Sequence, residues 1–141
     1  MNTDVIGTDV LHAATLLQNG ELVGIPTETV YGLAANALDE EAVLKIFEAK
    51  GRPKFDPLIV HCASVESIRN YVTDVPPVAE QLLQTFAPGP ITLLLPKRSI
   101  IPDLVTSGLP QVAVRIPQHP LTLHLLQQLP FPLAAPSANP F

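Results

Sequence analysis

Sixteen prolines in 141 residues limit every regular element of this chain to a short piece. A proline donates no backbone hydrogen bond, and its ring disfavours helix in the residue before it. The prolines are spread along the chain, mostly at the edges of apolar runs. They punctuate short elements and do not form a linker. Between them the apolar residues switch between helical and strand spacing. Val10, Ala13, Ala14 and Leu17 predict a helix, with Asp9 as its cap and Gly20 as its stop. Residues 22–25 predict a strand stopped by Pro26. Asp39 caps a second helix, with Glu40 and Glu41 in its first turn and Val43, Ile46 and Phe47 on one face. It ends near Lys50, before Gly51 and Pro53.

Residues 58–62 predict a strand and 64–71 a short helix. Val78, Leu82 and Phe86 mark another helix before Pro88-Gly89-Pro90. The near-continuous apolar run 91–95 predicts a buried strand. A strand over 112–116, a helix over 121–129 and a last strand over 133–135 complete the pattern. Strands alternating with helices imply an α/β fold with a mixed sheet. The length implies one domain, residues 1–141, and no boundary, repeat or low-complexity stretch interrupts it.

Composition narrows the function. Apolar residues make up 47% of the chain and charged residues 15%, which suits a globular core and not a disordered segment. Eight basic side chains against thirteen acidic ones give a net charge of -5, so a broad nucleic-acid surface is not indicated. The basic residues are nevertheless clustered: Lys50, Arg52 and Lys54 fall together. The single cysteine, Cys62, excludes an internal disulfide and a cysteine-based zinc site, and favours a reducing compartment. Asp4 and Asp9 stand where a signal peptide would be basic. No apolar run approaches the roughly 20 residues needed to span a bilayer. The expectation is a soluble cytoplasmic protein.

Four segments carry more chemistry than scaffolding needs. Pro26-Thr27-Glu28-Thr29-Val30-Tyr31-Gly32-Leu33 places two hydroxyls, a carboxylate and a phenol between a strand and a helix. Ligands bind at such strand ends, although a capped polar turn would use the same residues. Lys50-Gly51-Arg52-Pro53-Lys54-Phe55-Asp56-Pro57 puts cations at a helix C-terminus. They complement the helix dipole or grip a polyanion. In the strand pair, alternation puts His61 on the face opposite Val60, and Arg115 opposite Val112, Val114 and Ile116. Arg115 must reach an exposed face, pair with an acid, or bind an anionic ligand. His61 alone reads as a histidine satisfied within the fold. In Ala134-Ala135-Pro136-Ser137-Ala138-Asn139, Ser137 and Asn139 either cap a following helix or meet a ligand's polar groups.

Other sites are missing. The chain has no G-x-x-x-x-G-K-[ST], G-x-G-x-x-G, H-E-x-x-H or G-x-S-x-G. His12, His119 and His124 stand in helical or turn contexts without metal-ligand spacing, so no protein metal site is expected.

Six segments together resemble the YrdC family, which includes the threonylcarbamoyl-AMP synthases. They are Pro26-Thr27-Glu28-Thr29-Val30-Tyr31-Gly32-Leu33, Lys45-Ile46-Phe47-Glu48-Ala49-Lys50-Gly51-Arg52-Pro53 and Pro57-Leu58-Ile59-Val60-His61. Pro88-Gly89-Pro90-Ile91-Thr92, Val112-Ala113-Val114-Arg115-Ile116-Pro117 and Ala135-Pro136-Ser137-Ala138-Asn139 follow in order. The resemblance implies a twisted mixed sheet flanked by helices, with an open cleft. It implies synthesis of L-threonylcarbamoyl-AMP and pyrophosphate from L-threonine, bicarbonate and ATP. That product serves a downstream threonylcarbamoyl transferase complex, which forms threonylcarbamoyladenosine at position 37 of tRNA. By resemblance Lys50, Arg52, Ser137 and Asn139 are catalytic, as a K-x-R and S-x-N set. Thr29, His61, Arg115 and Ser137 hold threonine, with Arg115 on its carboxylate. Lys50, Arg52, Asp56, Gln111 and Asn139 contact ATP, and Mg²⁺ arrives with the nucleotide.

The residue chemistry agrees with that reaction. All three substrates are anionic or carry a carboxylate, so neutralising charge and aligning the reactants matter more than a nucleophilic side chain. The chain departs from the resemblance at Asp56, where many relatives have Asn. Relatives also continue beyond the S-A-N motif with a helix, a strand and further ATP contacts. The domain is therefore expected to be incomplete at its C-terminus, with weak or no activity in this stretch alone. A non-catalytic YrdC-like module that binds double-stranded RNA or tRNA, or regulates, is the alternative. A third reading is the YrdC-like part of a hydrogenase-maturation carbamoyltransferase.

Overall fold

The structure, a computed structural model, describes residues 3–5, 9–26, 31–51 and 56–136. Its centre is a sheet of seven short strands: β1 (Thr3–Val5), β2 (Leu22–Pro26), β3 (Tyr31–Asn36), β4 (Ile59–His61), β5 (Leu93–Pro96), β6 (Gln111–Arg115) and β7 (Leu133–Ala135). Across the sheet they run β1-β2-β3-β7-β4-β6-β5. The β1–β2 and β4–β6 pairs are parallel, and the others are antiparallel. The helices are α1 (Val10–Gln18), α2 (Glu40–Lys50), α3 (Val65–Ile68), α4 (Pro77–Phe86), α5 (Asp103–Thr106) and α6 (Pro120–Gln127). The sheet is mixed and flanked by helices, as the sequence implied.

Local chemistry explains the helix ends. The Asp9 carboxylate accepts from the His12 N–H at 2.9 Å and opens α1. Asp39 accepts from the N–H groups of Glu41 and Ala42 and opens α2. Gly51 closes α2 in the left-handed region, φ 60°, where a side chain would be strained. The Ser64 hydroxyl caps α3. Lys45 ties α2 to the turn after α1 through the Gly20 carbonyl, at 2.9 Å.

Each face of the sheet has its own core. On one face Ala35, Val60, Val114 and Ala134 pack with Val43, Ile46 and Phe47 of α2, Leu83 of α4 and Val105 of α5. On the other, Val23, Ile25, Ala34, Leu133 and Ala135 pack with α1 and with Leu125 and Leu126 of α6. Burying each of the larger aliphatic side chains contributes about 1.5–3 kcal/mol. This second core covers β2, β3 and β7. Beyond it, along β4, β6 and β5, the same face carries Ile59, Ala113 and Arg115, all half-buried, and then Leu94, 63% exposed.

The structure corrects two expectations and adds detail to others. Pro26 to Leu33 does not run from a strand into a helix, because β3 intervenes and pairs antiparallel with β2. After Tyr31, β3 has no further aromatic or β-branched residue to announce a strand. Its place between β2 and β7 makes it one. The run 91–95 is not a buried strand. Strand β5 starts at Leu93, and while Leu95 is buried on one face, Leu94 on the other is exposed. Helix α4 forms where expected, but Val78 and Phe86 are exposed while Ala79 and Leu83 are buried. Strand β1 and helix α5 were not anticipated.

Candidate functional site

The parallel register of β4 and β6 sets His61 directly beside Arg115, and the antiparallel register of β4 and β7 sets His61 beside Leu133. Partners in register on adjacent strands, about 4.8 Å apart, share a face. His61 and Arg115 therefore stand side by side, opposite Val60 and Val114, as alternation predicted. His61 is 2% exposed and Arg115 half-buried. Thus a buried imidazole adjoins a guanidinium at the margin between the covered and the open part of one face.

The backbone around Arg115 is held from both sides. Its carbonyl accepts from the Cys62 N–H at 2.8 Å. Its Nε donates to the Gly89 carbonyl at 3.4 Å. The Gly89 N–H donates to the Ile116 carbonyl at 2.9 Å. Of the three options open for Arg115, the structure shows a half-exposed side chain bonded to a turn carbonyl.

The strand directions gather several chain ends at one end of the sheet. Pro26, the end of β2, pairs with Tyr31, the start of β3. Ala135, the end of β7, pairs with Ile59, the start of β4, which pairs in turn with Ala113 near the start of β6. Asp56, half-buried, precedes β4, and the exposed Gln111 opens β6. The buried Thr122 of α6 donates its hydroxyl to the Pro26 carbonyl and fixes the end of β2 to that helix. Thus Pro26, Tyr31, Ala135, Asp56 and Gln111 lie toward one end of the sheet, the end at which β4 and β6 begin and run on to His61 and Arg115.

Lys50 is exposed at the C-terminal end of α2, where its charge complements the helix dipole. Thr29, Arg52, Ser137 and Asn139 lie outside the described residues. The structure therefore brings His61 and Arg115 together and leaves the K-x-R and S-x-N set without a described geometry. Sequence reading gave no role to Gly89 or Thr122. For Gly89 the signal was present in Pro88-Gly89-Pro90. For Thr122 a threonine within a helix gives none.

Cys62, next to His61 but on the other face, is a buried free thiol. Burial pushes its thiol from 9.0 up to about 12, against a smaller opposing effect of a hydrogen bond with Ser67. Among the described residues no three His, Cys, Asp or Glu side chains group as metal ligands. His119 instead caps α6, its Nδ1 accepting from the Leu121 N–H. No helix among the described residues is long and apolar enough to cross a membrane. Among the described residues, surface cavities lie beside Lys45 and Glu48 and beside Arg69 and Arg98.

Fold and site together define a mixed-sheet α/β protein that presents a paired histidine and arginine on one sheet face. The family described as Sua5_yciO_yrdC, Telomere recombination, matches residues 15–141, and the chain belongs to it. A threonylcarbamoyl-AMP synthase of Pyrococcus abyssi is 54% identical over 127 residues, covering 90% of this chain and 37% of that relative. A threonylcarbamoyl-AMP synthase of Bacillus subtilis is 48% identical over 141 residues, covering 97% of this chain and 41% of the relative. The crystal structure of P. abyssi Sua5 complexed with L-threonine superposes with a TM-score of 0.89 at 48% identity, over 97% of this chain and 41% of that one. The chain thus spans about two fifths of the length of these relatives.

Proposed function

We propose that this chain carries threonine-binding and nucleotide-binding residues of a threonylcarbamoyl-AMP synthase. The observation that carries the reading is the register pair His61–Arg115 on a half-open sheet face. It is supported by relatives named for this activity and by a solved relative complexed with L-threonine.

In this reading Arg115 grips the threonine carboxylate, with His61, Thr29 and Ser137 on the remaining polar groups. The threonine amine, unprotonated, adds to the carbon of bicarbonate, and loss of water leaves a carbamate. A carbamate oxygen then attacks the α-phosphorus of ATP. The new P–O bond forms as the bond to the β-phosphate oxygen breaks, and pyrophosphate leaves with that electron pair. Lys50, Arg52, Asp56, Gln111 and Asn139 align the nucleotide, with Lys50 and Arg52 offsetting phosphate charge. Mg²⁺ enters with the phosphates. The product passes to a threonylcarbamoyl transferase complex acting on tRNA in the cytoplasm.

The test is pyrophosphate release by the protein made from the full reading frame. Release is expected only with L-threonine, bicarbonate and ATP together. Release that ignores threonine, or none at all, sinks the assignment. Binding of double-stranded RNA or tRNA that weakens steeply with salt, with no release, points instead to the RNA-binding module.

A further inference from the structure

We propose that Gly89 is a positioning residue whose backbone carbonyl fixes the Arg115 guanidinium on the open sheet face, so that the turn Pro88-Gly89-Pro90 governs carboxylate recognition. The inference rests on Arg115 gripping the carboxylate of L-threonine, as proposed above.

An arginine side chain has several rotatable bonds, and its fork is useful only when its plane is set before the ligand arrives. Here the bond from Nε to the Gly89 carbonyl, 3.4 Å, fixes the rotation of that plane about the stem. The turn is itself anchored to the same strand, because the Gly89 N–H donates to the Ile116 carbonyl at 2.9 Å. One residue thus holds the arginine side chain through its carbonyl and the next backbone unit through its amide.

The identity of that residue follows from space. Gly89 is buried, and a Cβ there would stand 2.6 Å from the Phe86 carbonyl oxygen. That oxygen belongs to the last turn of α4, so relief requires moving backbone and not a flexible side chain. Any side chain at 89 must displace the turn and its carbonyl. Pro90, exposed to solvent, restricts Gly89 to extended conformations, which keeps the carbonyl pointed at Arg115. Glycine is required by contact with α4 and the proline by aim.

The experiment measures binding of L-threonine, of L-threoninol, which has an alcohol in place of the carboxylate, and of ATP. It uses the protein from the full reading frame and its Gly89→Ala, Pro90→Ala, Arg115→Gln and Gly89→Ala/Arg115→Gln variants. Gly89→Ala is expected to weaken L-threonine roughly tenfold, the scale of one hydrogen bond to a charged group, while ATP changes less than about threefold. The preference for L-threonine over L-threoninol should fall by the same factor. Pro90→Ala should shift it in the same direction by less. In the Arg115→Gln background, Gly89→Ala should add nothing, because its effect passes through the arginine.

Gly89→Ala protein that folds and keeps its preference overturns the inference, as does additivity in the double variant. Should Gly89→Ala fail to fold, an unchanged preference in Pro90→Ala overturns it. Unsubstituted protein that does not prefer L-threonine over L-threoninol removes the reading of the site itself, which separates that failure from failure of the Gly89 inference.

Discussion

Cys62 follows His61 by one position and so turns to the opposite face, into the core built around α2. Its thiol is held at about 12, well above 9.0, chiefly by burial. Burial also raises the Tyr71 phenol, and a charged Cys62 would raise it further. The sign of the linkage is fixed by which state keeps its proton. Above pH 9.0 the unfolded chain releases the thiol proton while the folded chain retains it, so stability is complete below that pH and falls as the pH climbs toward about 12. One proton contributes at most about 1.4 kcal/mol per pH unit. Urea denaturation on either side of pH 9.0 should show this slope, and Cys62→Ala should remove most of it. A thiol reagent at neutral pH should leave native Cys62 unmodified and label the unfolded chain quickly. At this scale alternation alone placed His61 and Arg115 correctly. The neighbour that holds Arg115 is Gly89, which the strand pattern could not indicate.

Helix α2 shows how an element positions functional groups it does not itself bury. Its inner face is Ala42, Val43, Ile46 and Phe47, and its last residue, Lys50, begins the basic run. Gly51 ends it at φ 60°, and a Cβ there would meet nothing within 4 Å. Gly51→Ala should therefore cost about 1 kcal/mol through backbone strain alone. Asp39→Ala should cost a similar amount, about 1 kcal/mol, by removing the acceptor for Glu41 and Ala42. The two differ at the site. If the proposed function holds, Gly51→Ala, at the residue that follows Lys50, should also reduce threonine-dependent pyrophosphate release, whereas Asp39→Ala should leave release near normal. Equal losses of activity in the two variants would argue against any role for the α2 C-terminus. Both caps were readable from the sequence, because capping depends on residues within one helical turn.

At the scale of the molecule, the sheet is covered on one face along most of its width and on the other mainly over β2, β3 and β7. Strand β5 carries the consequence in adjacent residues. Leu95 is 4% exposed, within the core, and Leu94 is 63% exposed on the open face. Leu95→Ala should lower the unfolding free energy by about 2–5 kcal/mol, and Leu94→Thr by less than about 0.5 kcal/mol. A large effect of Leu94→Thr would mean that this face is covered in the protein. Helix α4 follows the same rule, with Ala79 and Leu83 inward while Val78 and the bulky Phe86 stay outside. Which apolar stripe faces the core depends on where the helix lands, not on which stripe is bulkier.

The sequence by itself determined the number and order of most elements, both caps of α2, the faces of His61 and Arg115, and the family. These rest on spacing, local turn chemistry and ordered motifs, each confined to a few neighbouring residues. Only the tertiary structure decided that Tyr31–Asn36 is a strand, that β5 comes last in the order of the described strands, that His61 stands beside Arg115, and that Arg115 meets Gly89. Those facts depend on strand order, and strand order is set by contacts between residues far apart in the chain. A repeating pattern can say which way a side chain turns, but not what it will find there.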